Sequence, residues 1–397
     1  MIGALEPRQD VRRLALRILG QVLRPETPVV TTLPRKILVV RPDHLGDLLF
    51  LTPALRRLRE AFPSAEIFGL VGPWGVPVLG RNPHLSGLIT WDFPWFDRRP
   101  RRSSIGPYAS LLQLAARLRR ERFDLAIQFR PDFWWGALAV RLAGGIVQVG
   151  YDVPLVSPFL DRKIPVQHGL AAAADNLRLV AEIAGPGPAG RLEFPLEAAE
   201  RQRAAELLKS VARDRCLVAI QVGAGARVKL WPFDRLVTVG RSLRDQCGAT
   251  LVVVGGESER EAVSTVVQGI GERAIGLAGQ TTVGELAAVL ERCQLAVGPD
   301  SGPLHLAVAV GTPTLHLFGP ADATRFGPYG DPDRHRVIRA DWPCVPCDRL
   351  DFGGTDLERH DCMAHIAPDD VVDVARELLA RFAKADRVGD PSAMPDG

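Results

Sequence analysis

Short runs of β-branched and other apolar residues recur along the chain, and most are followed by a segment in which apolar residues have helical spacing. The first run is Ile37-Leu38-Val39-Val40. In the segment after it, apolar residues recur in steps of three and four: Leu48, Leu51, Leu55, Leu58 and Phe62. Strands that alternate with helices are typical of mostly parallel sheets covered by helices on both faces, so the sequence predicts an α/β fold.

A stretch rich in glycine and proline, residues 184–190, interrupts this alternation near the middle of the chain. The chain has 397 residues, which is more than one hydrophobic core usually serves. We therefore predict two Rossmann-like domains, 36–185 and 191–367, whose parallel sheets face a central cleft. A closing helix is predicted at 368–384, where apolar residues again share one face.

Composition excludes several classes of protein. The net charge is only +3, which does not favour a nucleic-acid binder. The chain has no run of about 18 uncharged apolar residues, so no membrane-spanning helix is predicted. Arg12, Arg13 and Arg17 interrupt the apolar residues near the N-terminus, so no signal peptide is predicted either. We expect a cytoplasmic protein.

Residues 1–35 form a separate amphipathic appendage, in which apolar residues at helical spacing lie among arginines. One interpretation is a short helix that packs on its own domain. The other is a basic helix that lies on the anionic inner face of the cytoplasmic membrane as a peripheral contact.

The first candidate for chemistry is Gly46-Asp47, at the passage from the first predicted strand to its helix. Loops at the carboxyl ends of parallel strands face the ligand in doubly wound folds. A carboxylate there can take a proton from a sugar hydroxyl. The alternative is that Asp47 only caps the following helix.

The second candidate is the segment Gly298–His305, which follows a predicted strand and opens a helix. Free N–H groups at a helix start suit a diphosphate. Gly302 allows close approach of the backbone, and the Ser301 hydroxyl adds a donor. His305 lies on the first turn of that helix. The alternative is that Asp300 or Ser301 acts only as a helix cap.

Two further loops also follow predicted strands. The loop from Gly223 to Pro232 carries Lys229, a mobile positive charge suited to phosphate, although a solvated surface lysine is the alternative. Glu257 and Glu259 follow the next strand, where a carboxylate commonly binds ribose hydroxyls. The sequence alone does not distinguish between these two glutamates.

Cys344 and Cys347 have the spacing of a metal-ligand pair, and Cys362 follows with His360 and His365 close by in the sequence. Such a set can hold a structural zinc ion, while free thiols or a redox pair are the alternatives. Another unusual segment is 91–107, in which tryptophans precede a run of arginines: Arg98, Arg99, Arg101 and Arg102. This segment either binds an anionic acceptor or is a solvated loop.

Taken together, the segments 36–59, 228–236 and 297–320 resemble glycosyltransferase family 9, the lipopolysaccharide heptosyltransferases. The resemblance implies the GT-B fold and a final helix that returns to the N-terminal domain. It implies an inverting, metal-independent transfer of a sugar from a nucleotide-sugar donor, with ADP-heptose favoured, to a lipopolysaccharide-core or other glycan acceptor.

Motif matching to this family gives individual residues a role. Asp47 would be the general base, next to Gly46, and Lys229 would stabilise the departing diphosphate. Glu259 is the choice for the ribose contact. The remaining donor-site residues are Gly223, Asp300, Ser301, Gly302, Leu304 and His305. A nucleotide-sugar epimerase of the same fold and a non-catalytic nucleotide-sugar-binding scaffold are the competing functions.

Overall fold

A computed structural model describes residues 16–23, 33–96, 106–211, 216–351 and 360–382. The chain divides into two compact units, one made of residues 1–44 with 51–190 and the other of residues 45–50 with 191–397. Arg8, Arg12, Arg13 and Arg24 of the predicted basic appendage lie outside the described residues, as do the arginines of segment 98–102.

The first unit alternates strands and helices along the chain. Its elements are residues 16–22 (α1), Lys36–Val40 (β1), Leu45–Ala61 (α2), Glu66–Val71 (β2), Val76–Leu79 (α3), Gly87–Thr90 (β3), Gly106–Glu121 (α4), Leu125–Gln128 (β4), Trp134–Ala143 (α5), Val147–Tyr151 (β5), Arg162–Ile164 (β6) and Ala172–Ala184 (α6). The first six residues of α2 group with the second unit.

The second unit repeats the same alternation. Its elements are Ala198–Leu207 (α7), Leu217–Gln221 (β7), Phe233–Cys247 (α8), Thr250–Val254 (β8), Arg260–Ile270 (α9), Ala274–Gly276 (β9), Val283–Glu291 (α10), Leu295–Pro299 (β10), Gly302–Ala309 (α11), Thr314–Phe318 (β11), Ala323–Phe326 (α12), His335–Arg339 (β12) and Pro368–Phe382 (α13).

Each unit contains one six-stranded sheet, and all the strand pairs described are parallel. The order is β3-β2-β1-β4-β5-β6 in the first sheet and β12-β11-β10-β7-β8-β9 in the second. In both sheets the chain builds outward from its first strand and then returns to the other side of that strand. The order therefore reverses between β1 and β4 and between β7 and β10, which is where ligands bind in doubly wound folds.

Helix α5 is apolar apart from Arg141, and all its residues but Leu142 are buried. It belongs to an apolar cluster with Phe159 and Leu160, and Leu16 of α1 completes that cluster. A Cβ atom on Gly20 would lie 2.5 Å from the Cβ of Pro158, so α1 packs closely there. The described part of the appendage thus packs on its own unit, while Ile18 and Val22 on its other face are exposed. The proposed membrane contact stays a prediction.

The closing helix α13 packs against α8 and the central strands of the second sheet. Val371, Ala375 and Leu378 are buried in the core of that unit. The family resemblance allows for a return of this helix to the N-terminal domain; its described residues group with the second unit. Its apolar stripe explains this position, because β10 and α8 offer a matching apolar surface.

No helix in the described parts of the chain combines the length and the apolar character needed to cross a bilayer.

A hydrogen-bonded row of side chains crosses strands β11 and β12 inside the second core. The Thr314 hydroxyl lies 3.0 Å from Nε2 of His316 and 2.9 Å from Nδ1 of His335, and all three residues are buried. Burial lowers the pKa of His335 to about 4 and that of His316 well below its usual value. Both rings are therefore neutral at pH 7. The Thr314 hydroxyl donates its one proton to one imidazole ring, and the other ring donates an N–H to the hydroxyl oxygen.

This row makes the stability of the second unit depend on pH. The unfolded histidine binds a proton near pH 6.5, whereas folded His335 binds one only near pH 4. Protonation therefore favours unfolding, and stability falls as the pH drops from 6.5 towards 4, by up to about 1.4 kcal/mol per pH unit for each buried histidine. We expect the midpoint of urea unfolding to fall across this range, and to fall less steeply in His335→Gln. An equal slope in the variant and the wild type would contradict this origin.

Candidate functional site

An ion pair joins two loops at the carboxyl edge of the second sheet. Asp300 follows β10 directly, and Lys229 ends a short 3₁₀ turn, Arg227–Lys229, in the loop after β7. The Lys229 ammonium binds one carboxylate oxygen of Asp300, while Nε2 of His305 lies 3.3 Å from the other. Asp300 and His305 are buried, and the Lys229 side chain is only 13% exposed. The structure thus brings together three predicted site residues that are up to 76 positions apart.

The charge of Asp300 is fixed by its two neighbours. Burial alone would raise the pKa of this carboxyl, but the hydrogen bond from His305 and the positive charge of Lys229 hold the pKa at about 2. Because an ionised carboxylate only accepts hydrogen bonds, His305 must carry its proton on Nε2. Asp300 therefore positions both a cation and an imidazole at the edge of the sheet.

Helix α11 begins beside this pair and supplies the second feature of the site. Ser301 is its extended N-cap, and the Ser301 hydroxyl is buried without a hydrogen-bond partner among the described residues. Gly302 and Pro303 form the first turn, while Leu304 is buried beneath it. Pro303 has no N–H, and the amides of Leu304 and His305 donate to the Ser301 carbonyl. The positive end of the helix dipole and the nearby ammonium of Lys229 favour an anionic ligand.

Residues 45–50, which group with the second unit, lie against α11. A Cβ atom on Gly46 would lie 3.1 Å from the His305 ring, and the ring of Phe50 lies 4.6 Å from that of His305. The N-cap of α2 is His44, so Asp47 is in the first helical turn rather than at the cap position. The half-buried Asp47 carboxylate thus belongs to the same local group as His305, and the positive end of the α2 dipole stabilises its charge.

The structure distinguishes the two glutamates that follow β8. Glu257 is exposed and forms an ion pair with Arg260, with Nε and Oε1 2.6 Å apart. Glu259 turns inward: its carboxylate accepts a hydrogen bond from the Gly256 amide at 2.7 Å and lies against Gly223. A Cβ atom on Gly223 would lie only 1.5 Å from Glu259 Oε1, so this position requires glycine if Glu259 is to keep its place. The role of Glu259 towards ribose stays a prediction.

His316, which the sequence analysis did not select as a site residue, has its ring centre 5.2 Å from that of His305. One ligating atom each from Asp300, His305 and His316 lies within 4.8 Å of the others, which is the one such group in the described residues. The ammonium of Lys229 on Asp300 opposes a cation there. The alternation of Thr314, His316 and Phe318 along β11 was the signal that these side chains share one face.

A second missed cluster lies in the first unit. Arg41 and Asp43 follow β1, and Arg130 and Asp132 follow β4. Arg41 contacts Asp43 through Nε at 2.6 Å, and Arg130 also binds Asp43, which is almost fully buried. The sequence signal was the tripeptide Arg-Pro-Asp, which occurs after both strands, at 41–43 and again at 130–132.

Cys362 is buried and lies near the Cys344 and Cys347 pair. Burial raises the pKa of the Cys362 thiol to about 11, and Cys344 and Cys347 lie close enough to contribute. Their sulfur atoms are not among the described ligand groups that lie within 4.8 Å of one another. The structural zinc site therefore stays a prediction, to be decided by metal analysis of untagged protein.

The chain is similar to a known family of glycosyltransferases. The profile of glycosyltransferase family 9 (heptosyltransferase) matches residues 111–351. The chain is 26% identical to lipopolysaccharide heptosyltransferase 3 of Escherichia coli over 294 residues, covering 72% of this chain and 84% of that protein. It is 29% identical to lipooligosaccharide heptosyltransferase 2 of Campylobacter jejuni subsp. jejuni over 350 residues, covering 87% and 98%.

The fold is also similar to that of solved structures. The structure of E. coli ADP-heptose lps heptosyltransferase II superposes with a TM-score of 0.70 at 21% identity, covering 87% of this chain and 99% of that one. This likeness confirms the predicted α/β class and GT-B fold, and the profile match confirms the predicted family. The chain belongs to glycosyltransferase family 9, the heptosyltransferase family, and is a glycosyltransferase.

Proposed function

We propose that this protein transfers heptose from ADP-heptose to a lipopolysaccharide-core or other surface glycan, with inversion at the anomeric carbon and without a catalytic metal. The observation that carries the proposal is the buried Lys229–Asp300–His305 group beside the start of α11. The names of the relatives, which act on lipopolysaccharide and lipooligosaccharide, support the acceptor class. The ADP-heptose named for the solved relative supports the donor.

The donor diphosphate fits the charge of this edge of the sheet. Lys229 and the positive end of the α11 dipole supply positive charge, and the Ser301 hydroxyl supplies a donor. As the glycosidic bond breaks, negative charge grows on the departing ADP. Fixed positive groups lower the barrier because they stabilise that charge more than they stabilise the intact donor.

Asp47 acts at the acceptor side of the reaction. Its carboxylate takes the proton of the attacking hydroxyl, whose oxygen forms a bond to the anomeric carbon as the bond to the diphosphate breaks. A single displacement of this kind inverts the configuration. The Gly46 contact with His305 keeps the first turn of α2, and with it Asp47, close to the donor-side group.

The donor assignment is tested by calorimetry with ADP, UDP, GDP and ADP-heptose side by side. We expect ADP and ADP-heptose to bind, because the proposed pocket recognises this nucleotide. Selective binding of a UDP or GDP compound would overturn the donor. If none binds, the proposed nucleotide-sugar site is wrong. Binding of ADP-heptose without transfer to any acceptor would favour the non-catalytic scaffold, and conversion of the donor without any acceptor would favour an epimerase.

Asp47→Asn keeps the size of the side chain and removes its basicity. We expect kcat to fall by about 10²- to 10⁴-fold, while calorimetric affinity for ADP stays within threefold of the wild type. Glu60→Gln is the matched control, because Glu60 is an exposed carboxylate on the far end of the same helix. Full activity in Asp47→Asn would refute the assignment of the base.

Lys229→Met removes the proposed phosphate contact but leaves Asp300 as a buried, unpaired charge, which by itself destabilises a protein by about 3–5 kcal/mol. The double variant Lys229→Met/Asp300→Asn avoids this effect. We expect its affinity for ADP to be about 10- to 100-fold below that of Asp300→Asn alone. Lys209→Met, at an exposed position of the same unit, is the control. Equal affinity in the single Asp300→Asn and double variants would exclude Lys229 from the phosphate site.

A further inference from the structure

The carboxyl edge of the first sheet carries a built group of side chains that the proposed chemistry does not use. It lies where the strand order reverses between β1 and β4, the position at which doubly wound folds bind ligands. Its members come from the two Arg-Pro-Asp loops and from the loop after β3.

The charged part of this group is rigid. Asp43 is 2% exposed, accepts a hydrogen bond from Arg130 and forms an ion pair with Arg41, while Arg41 donates to the Phe129 carbonyl at 2.6 Å. Arg130 in turn donates to both oxygens of Asp132, at 2.5 and 3.1 Å. The buried carboxylate anchors the guanidinium, and the guanidinium orients Asp132, whose side chain is 61% exposed.

The aromatic part lies beside it. The Arg130 guanidinium lies over the ring of Phe96, with 5.4 Å between its central carbon and the ring centre. Phe96 also packs edge-on against Phe133. The ring centre of the neighbouring Trp95 lies 5.8 Å from that of Trp134, and half of the Trp95 surface is exposed. The contacts of Phe96 with Arg130 and of Trp95 with Trp134 therefore bring Trp95 and the Arg130–Asp132 pair to one edge of the unit.

Trp95 is held in an unusual backbone conformation. Its φ angle is +75°, in the left-handed region that bulky residues rarely adopt. A large apolar side chain that is both strained and half exposed gains little from folding. Such positions commonly occur where a ligand is bound.

We propose that Trp95, Arg130 and Asp132 form a subsite for a sugar ring of the acceptor glycan. This inference rests on the proposed function, which it extends to the acceptor side. The apolar C–H face of a pyranose covers the exposed indole face, while neighbouring hydroxyls donate to the Asp132 carboxylate and accept from Arg130.

The charges of the group favour a neutral sugar ring over an isolated anion. The two arginines are balanced by Asp43 and Asp132, so the four side chains carry no net charge. A phosphate would have to displace Asp132 from Arg130, whereas a hydroxyl pair can bridge both without breaking their contact. Although burial opposes it, hydrogen bonding from Arg130 lowers the pKa of Asp132, so this carboxylate is a pure acceptor at neutral pH.

The test uses full-length protein and lipopolysaccharide-core oligosaccharide freed of lipid by mild acid. Binding is measured by calorimetry for the wild type, Trp95→Gly, Trp95→Phe and Asp132→Asn, with ADP titrated into each as a second readout. Trp95→Gly suits the backbone because glycine adopts positive φ without strain. Trp342→Ala is the matched control, because Trp342 is a partly exposed tryptophan of the second unit.

We expect Trp95→Gly and Asp132→Asn to weaken oligosaccharide binding at least tenfold, Trp95→Phe about threefold or less, and the control not at all. ADP affinity should be unchanged in all of them. Wild-type protein that binds ADP but no oligosaccharide, or Trp95→Gly that binds it as tightly as the wild type, would overturn the subsite. Failure of the wild type to bind ADP would instead count against the proposed donor, so the two failures are distinguishable.

Discussion

The reversal of strand order within each parallel sheet is the constraint on which the rest of this protein depends. In such a sheet, the helices that connect the strands on one side of the reversal cover one face, and those that connect the strands on the other side cover the opposite face. The loops that leave the two strands at the reversal therefore diverge. That divergence leaves an opening at the carboxyl edge. Asp300 and the loop of Lys229 lie at the β7–β10 reversal, and Arg41 and Arg130 lie at the β1–β4 reversal.

Both openings contain a nearly buried aspartate held by cations, although the two have different consequences. In the second unit Asp300 binds one ammonium, which is a compact point charge, and one imidazole. In the first unit Asp43 binds two guanidinium groups that present several fixed donors each. Removing either aspartate would take the carboxylate partner from a largely buried cation, Lys229 in one unit and Arg41 in the other, which is costly whatever the ligand.

The sequence was sufficient to predict the central strands, because runs such as β1, β7 and β8 are short, apolar and β-branched. It did not reveal α5, whose residues are apolar apart from Arg141, so that no polar face marks a helical period. It also missed β12, His335–Arg339, because an edge strand with alternating polar residues resembles a loop. Residues that directly follow the predictable strands were found as site candidates. The Lys229–Asp300 and Arg130–Asp43 contacts could not be predicted, because they depend on the order of the strands in each sheet, which the local sequence pattern does not encode.

The packing of α1 has a consequence for the order of events during synthesis. The apolar cluster that contains α5 is completed by Leu16, yet about 110 residues separate the end of α1 from the start of α5. At a translation rate of roughly 5–20 residues per second, α1 leaves the ribosome about 5–20 s before its partner exists. During that interval its apolar face has no native surface to cover. The arginines among its apolar residues keep this nascent segment charged, and so lessen its tendency to associate with other chains.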